Sequence, residues 1–118
     1  MAEVVLECSF LIPVRRDALL SDGKPHATRT WRWLEEELLV FGGMTRAPGL
    51  HTGEYLDRDT GRRVPDRSRG YTVAVLRPRV QELRQLLRKA CGKFQQKCIY
   101  LSVAGRVEFV EGESDASA

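Results

Sequence analysis

The segment from Tyr71 to Phe109 constrains the fold most, because it combines an apolar strand, an amphipathic helix and a closing β-hairpin. Residues 71–76 carry no charge at odd or even positions, which is typical of a central strand that is apolar on both faces. Pro78 then suits the first turn of a helix, where its missing N–H has no partner. The apolar stripe of that helix recurs at helical spacing over Val80, Leu83, Leu87, Ala90 and Phe94. The segment therefore predicts a helix packed on a sheet.

The register of the closing hairpin can be predicted from its pattern. A two-residue turn pairs Leu101 with Glu108, which mixes an apolar and a charged group on one face. A three-residue loop over 103–105 instead pairs Ile99 with Phe109, and it separates apolar from polar side chains. Because a slip of one residue moves every side chain to the opposite face, we predict the three-residue loop.

The first half of the chain contains a second strand-and-helix pair. Every even position from Val4 to Val14 is apolar, whereas the odd positions include Glu7 and Ser9 besides Val5 and Leu11, which predicts a strand with one buried face and a partly apolar second face. A helical stripe follows from Ala27 to Phe41 and ends at a glycine pair. Residues 50–56 and 62–64 predict two short strands, and Pro65 makes the second either an edge strand or an interrupted one.

The order of these elements predicts the fold class. Strand, helix, weak hairpin, strand, helix, strand and strand is the split β-α-β arrangement with one addition. We therefore predict an α+β fold, a ferredoxin-like two-layer sandwich whose sheet is mainly antiparallel. Two helices should cover one face, and an extra strand should follow at the C-terminus. Residues 1–112 are predicted to form this single domain, and residues 113–118 a disordered acidic tail.

Two short segments carry a resemblance to a known group of proteins. They are Gly61-Arg62-Arg63-Val64-Pro65-Asp66-Arg67-Ser68-Arg69-Gly70-Tyr71 and Phe94-Gln95-Gln96-Lys97-Cys98-Ile99-Tyr100. A glycine- and aspartate-rich hairpin before a central strand, and a Phe-Gln-Gln turn after the last helix, are similar to small uncharacterised bacterial ferredoxin-like proteins. The resemblance covers the C-terminal half and implies the fold, but it implies no activity.

Composition excludes several classes of protein. The 118 residues make one domain's worth of chain, and no apolar run approaches the roughly 20 residues of a membrane helix. Glu3 and Glu7 stand where a secretory signal has a basic start and an unbroken apolar core, so we expect a cytoplasmic protein without a membrane partner. The three cysteines form no CxxC pair, which argues against a disulfide framework or a zinc knuckle.

No motif for catalysis, phosphate binding or dinucleotide binding is present in the sequence. His51 has Glu54 and Asp57 nearby but no second histidine or cysteine, so we interpret this stretch as a polar loop. The consecutive glutamates at 35–37 point in different directions around a helix and are interpreted as a solvated face. We therefore assign no catalytic residue, no metal site and no cofactor, and an enzyme is the interpretation that the sequence favours least.

The leading functional hypothesis is a small non-enzymatic binding or assembly protein. If both helices cover one face of the sheet, the other face keeps apolar groups, and such a patch usually marks a partner or ligand surface. We assign Val5, Leu11, Tyr71 and Val73 to this open face. The expected partner is a second copy of the chain, because a two-fold dimer is the commonest closed assembly, or else a small ligand.

The alternative hypothesis is a basic nucleic-acid-binding module. The net charge is +3, and basic residues are concentrated on the second helix and in the loop before the central strand. We assign phosphate binding to Arg62, Arg63, Arg84 and Arg88. Arginine offers permanently charged, bidentate donors to phosphate, and Arg84 and Arg88 are one helical turn apart on a face expected to be exposed.

Overall fold

The computed structural model describes residues 3–57 and 59–113, which form a six-stranded antiparallel sheet and two α-helices. The elements are β1 (Val5–Pro13), α1 (Thr28–Leu38), β2 (Thr45–Arg46), β3 (His51–Leu56), β4 (Arg63–Leu76), α2 (Val80–Lys93), β5 (Cys98–Val103) and β6 (Arg106–Glu111). The sheet order is β2-β4-β1-β5-β6, and β3 pairs with β4. The predicted α+β class is confirmed. Residues 114–118 of the predicted tail lie outside the described residues.

The core lies between the two helices and one face of the sheet. Even positions of β1 are buried there, as their alternation predicts, and Phe10 pairs with Tyr71 while Cys8 pairs with Val73. Partners across an antiparallel pair share a face. Tyr71 and Val73 are therefore core residues under the helices, and their assignment to the open face is wrong. The run 71–76 is apolar on both parities, so its sequence alone could not distinguish the two faces.

Both helices are amphipathic and bury one stripe each. Trp31, Leu34 and Leu38 of α1 are buried, together with six residues of α2. Within the described part of the chain, neither helix is long and apolar enough to cross a membrane.

The hairpin of β5 and β6 has the register that we rejected. Leu101 pairs with Glu108, and the two-residue turn places Ala104 at φ 49° and Gly105 at φ 86°. Two positive φ angles define the type I′ turn, whose twist suits a hairpin. Glu108 is tolerated on the helix side because it accepts hydrogen bonds of 2.6 and 3.0 Å from Arg84 of α2. A charge partner from a distant element therefore overrides the apolar pattern of the two strands.

The corrected register sends large apolar side chains to the open face. Val107 and Phe109 are exposed on this face, where Phe109 packs edge-on against Tyr100 with ring centroids 6.0 Å apart. Val5 and Leu11 of β1 lie on the same face, as predicted, since their β4 partners alternate with the core residues.

Strand β4 is a single strand of 14 residues, whereas the sequence predicts two separate strands around Pro65. Pro65 pairs with Glu54 of β3, and the pairing with β1 reaches only as far as Ser68. On the β1 side a further backbone hydrogen bond joins the Val14 N–H to the Arg67 carbonyl, and at Pro65 the described residues pair only on the β3 side, so the missing N–H of proline interrupts no second ladder. The outer part of β4 and β3 thus form a two-stranded arm.

Candidate functional site

Five polar and aromatic side chains converge between α1 and the edge of the sheet. Trp31 and Glu35 are four residues apart on α1 and so share one helix face. Arg69 and Tyr71 are two residues apart on β4 and so share one face of the sheet. Arg46 of β2 is the cross-strand partner of Tyr71. Gly42 ends the 3-10 turn after α1 at φ 104°, which only glycine adopts readily, and the chain then returns to β2.

Glu35 is the centre of this cluster. Its Oε2 accepts a 2.8 Å hydrogen bond from the Tyr71 hydroxyl and another of 2.8 Å from Nη1 of Arg46. Arg69 Nη1 lies 3.9 Å from the same oxygen, which is ion-pair distance but too long for a hydrogen bond. Among the described residues all of these contacts use Oε2, so Oε1 is available to a ligand.

The Tyr71 phenol is held in its protonated form. Burial raises the pKa of Tyr71 to about 12, and the hydrogen bond that it donates to Glu35 acts in the same direction. At neutral pH this side chain is therefore a hydrogen-bond donor and not a base. Its role here is to fix the orientation of the Glu35 carboxylate.

Arg69 is held by an aromatic ring. Its guanidinium carbon lies 4.1 Å from the centroid of the Trp31 ring, a distance typical of a cation–π contact. The Trp31 ring is itself fixed by the buried ring of Phe94, whose centroid is 4.8 Å away. The guanidinium group is thus positioned by packing rather than by a short hydrogen bond to Glu35.

An open cleft of about 450 Å³ lies between α1 and strands β2 and β4, and it is here called the α1 cleft. It is lined by Thr28, Trp31, Arg32, Glu35, Glu36, Leu39, Met44, Arg46 and Arg69. From Thr28 to Leu39 the helix rises about 16 Å, so the cleft suits an elongated small molecule. Leu39 and Met44 make one end apolar, whereas the arginines exceed the glutamates by one charge.

Neither the cleft nor Glu35 was found from the sequence. Glu36 and Glu37 are exposed, as expected of a solvated face, but Glu35 is half-buried and accepts hydrogen bonds from Tyr71 and Arg46. The Trp31-x-x-x-Glu35 spacing was the available signal, since it places a carboxylate on the same helix face as a core aromatic residue.

The basic residues that we assigned to phosphate are not equivalent in the structure. Arg84 is not free on an outer face, because both oxygens of Glu108 bind its guanidinium. Arg88 is exposed on α2, and Arg62 and Arg63 are exposed on the arm, where Arg63 pairs with Glu54 at 3.6 Å. The Arg84 and Arg88 pair is therefore not an available phosphate clamp.

No group of three or more metal-ligating side chains occurs among residues 3–57 and 59–113. The α1 cleft is lined by two carboxylates, three arginines and one tryptophan ring.

His26 lies behind the cleft wall and gives a pH-dependent prediction. Its ring is edge-on to Trp31 and Phe94, and Nε2 hydrogen-bonds the Pro13 carbonyl at 2.8 Å. Burial lowers the pKa of His26, and the charges of Arg16 and Arg69 lower it further. Below about pH 6.5 the unfolded chain takes up a proton that folded His26 resists, so the free energy of unfolding should fall.

We expect the urea midpoint of the wild type to decrease from about pH 7.5 to about pH 5.5. A His26→Phe variant should show a shallower decrease, whereas His51→Gln, which changes an exposed histidine, should follow the wild type. Equal slopes for the wild type and His26→Phe would show that His26 is not responsible.

Comparison with known proteins gives a likeness of fold without a family assignment. No protein-family model matches the sequence, and no curated protein matches it either. The structure is similar to that of a phage SAM lyase in complex with S-methyl-5'-thioadenosine, with a TM-score of 0.68 and 10% sequence identity. The match covers 96% of this chain and 94% of that one. An apo phage SAM lyase gives a TM-score of 0.60 at 11% identity, over 92% and 90% of the chains.

This likeness overturns the hypothesis of a non-enzymatic binding or assembly protein. Both similar structures are of an enzyme, and the match extends over more than nine-tenths of the chain, so this chain has a fold that an enzyme also has. Local sequence patterns could not indicate this, because the polar groups of the α1 cleft come from three separate segments. The predicted dimer and the nucleic-acid partner are not tested by a single chain.

Proposed function

We propose that this protein is a lyase that cleaves a sulfonium nucleoside of the S-adenosylmethionine type in the α1 cleft. The observation that carries the proposal is the Glu35 carboxylate, oriented by Tyr71 and Arg46 and open to a ligand through Oε1. The fold shared with a phage SAM lyase supports the choice of substrate class. A cleft of about 450 Å³ is within the usual range for small-molecule sites, roughly 300–1,000 Å³.

The arrangement of the cleft suggests the orientation of the substrate. Leu39 and Met44 form the apolar end, which suits the nucleoside. One helical turn away, Glu35 faces the middle of the cleft, where its negative charge favours the sulfonium and ammonium cations of the substrate. Trp31 is one helical turn beyond Glu35 on α1, and Arg69 lies beside it at the opposite end of the cleft from Leu39 and Met44.

The proposed reaction breaks the bond between sulfur and the four-carbon amino acid chain. The bonding electron pair goes to sulfur, which changes from a sulfonium to the neutral thioether of S-methyl-5'-thioadenosine. A carboxylate oxygen of the same substrate bonds to the carbon that sulfur leaves, and a five-membered lactone forms without loss of a proton. This route needs no protein base, which agrees with a Tyr71 whose pKa of about 12 keeps it protonated.

The direct test is product analysis with purified protein and S-adenosylmethionine. We expect S-methyl-5'-thioadenosine to accumulate in proportion to protein and time, with an equimolar lactone identified by proton NMR. The alternative product of proton abstraction is an alkene of the same mass as the lactone, which NMR distinguishes. Absence of S-methyl-5'-thioadenosine above the spontaneous rate would contradict the proposal.

We also propose that the fold is a variant of the ferredoxin-like sandwich. The order β5-β1-β4-β3, with β2 on the same side of β4 as β3, supports this, since it keeps the first and third long strands central. Strand β6 is then the addition at the edge beside β5. The assignment is tested by comparing the strand order and connections of this chain with those of known ferredoxin-like structures.

A further inference from the structure

We propose that Arg69 binds the carboxylate of the substrate's amino acid end and thereby sets the specificity of the α1 cleft. This inference rests on the proposed function and deepens it, because it separates substrates that carry a carboxylate from a nucleoside product that does not. The anchor predicted in this way is a single guanidinium group at the Trp31 end of the cleft.

Arg69 lies against the Trp31 ring, the Glu35 carboxylate and the Tyr71 phenol, where it acts against the rise in the Tyr71 pKa, and these contacts leave further N–H donors available. Its plane is held by the Trp31 ring at 4.1 Å, and its nearest approach to Glu35 is 3.9 Å. A guanidinium has five N–H donors, and stacking on a ring orients them without using them. A carboxylate can therefore add a bidentate pair of hydrogen bonds while Trp31 keeps the side chain in place.

The other arginines of the cleft are less suitable. Arg46 donates a 2.8 Å hydrogen bond to Glu35, so part of its charge is already compensated by that carboxylate. Arg32 lines the same end of the cleft but its side chain is exposed, where ion pairs contribute little. Arg69 is about two-thirds buried, with 33% of its side chain accessible, so its interaction with an anion is less screened.

This position also has a chemical consequence. With one carboxylate oxygen bound to Arg69, the substrate chain is held between Arg69 and the nucleoside end of the cleft. The second oxygen stays free to bond to the carbon that sulfur leaves. Positioning of this kind replaces a search over chain conformations and is a recognised source of rate enhancement. Arg69 is therefore expected to affect both binding and turnover.

The experiment compares two ligands and three proteins by calorimetry. S-Adenosylhomocysteine carries the carboxylate but no sulfonium and so is not cleaved, whereas S-methyl-5'-thioadenosine lacks the carboxylate. The proteins are the wild type, Arg69→Gln and the matched control Arg67→Gln, which removes the same charge from an exposed position of the same strand. Thermal unfolding of each protein accompanies the titrations.

We expect Arg69→Gln to weaken S-adenosylhomocysteine binding by about 10- to 100-fold, the usual effect of losing hydrogen bonds between charged groups. Binding of S-methyl-5'-thioadenosine should change by less than about threefold, and Arg67→Gln should leave both affinities unchanged. Equal losses for the two ligands would overturn the assignment and show that Arg69 only supports the cleft. If the wild type cleaves S-adenosylmethionine and Arg69→Gln binds both ligands normally, the assignment alone fails. If the wild type binds and cleaves nothing, the proposed function fails with it.

Discussion

Replacement of Glu35 by glutamine is expected to lower kcat/KM for S-adenosylmethionine about 100-fold, since several charge-assisted contacts are lost together. Glutamine keeps the size of the side chain and can still accept a hydrogen bond from Tyr71. It removes the one carboxylate that lies against both Arg46 and Arg69. The two guanidinium groups are then uncompensated and repel a substrate that carries a sulfonium and an ammonium charge.

The matched control for this variant is Glu37→Gln. Glu37 is on the same helix and is exposed, and it is not among the residues that line the α1 cleft. Its replacement makes the same change in charge and should leave kcat/KM within about twofold of the wild type, as surface substitutions usually do. Equal activities of Glu35→Gln and the wild type, with S-methyl-5'-thioadenosine still formed, would remove the α1 cleft as the site.

Replacement of Phe94 by alanine is expected to lower the free energy of unfolding by about 3–5 kcal/mol, a large part of the stability of a small domain. The Phe94 ring is completely buried. Its centroid lies 4.8 Å from the centroids of both His26 and Trp31, so the cavity would open directly behind the wall of the cleft. Urea unfolding followed by circular dichroism measures the change.

The matched control is Phe109→Ala, which removes the same ring from β6. Phe109 is 65% exposed, so this variant should change the free energy of unfolding by no more than about 0.5 kcal/mol. The comparison also tests the hairpin register, because the three-residue loop predicted from the sequence pairs Phe109 with buried Ile99. Similar losses for the two variants would contradict the two-residue turn at Ala104 and Gly105.

Most of the fold was predictable from local patterns. The alternation in β1 and the apolar stripes of α1 and α2 each report one buried face, and these elements occur where the patterns place them. The errors arose where a pattern is symmetric or where a distant residue decides. Residues 71–76 are apolar at both odd and even positions, and the pairing with β1 decides which of them face the core. The hairpin register depends on the contact between Arg84 and Glu108, which are 24 residues apart.

The candidate site was not predictable in the same way. Glu35 and Tyr71 are 36 residues apart, and their hydrogen bond depends on how α1 packs against β4. Once Tyr71 was assigned to the open face, no carboxylate could be placed beside it. Arg46 comes from a strand of two residues, too short for a periodic pattern to indicate. A candidate site whose side chains come from three separate segments has no local signature.

The most direct measurement of the central claim is a crystal structure of the protein with bound S-methyl-5'-thioadenosine. The account predicts the ligand in the α1 cleft, with its nucleoside against Leu39 and Met44 and its sulfur beside Glu35. The ligand would be shared with the similar phage enzyme, whose structure contains the same compound. Electron density for the ligand on the open face of the sheet, or anywhere outside the α1 cleft, would contradict the account.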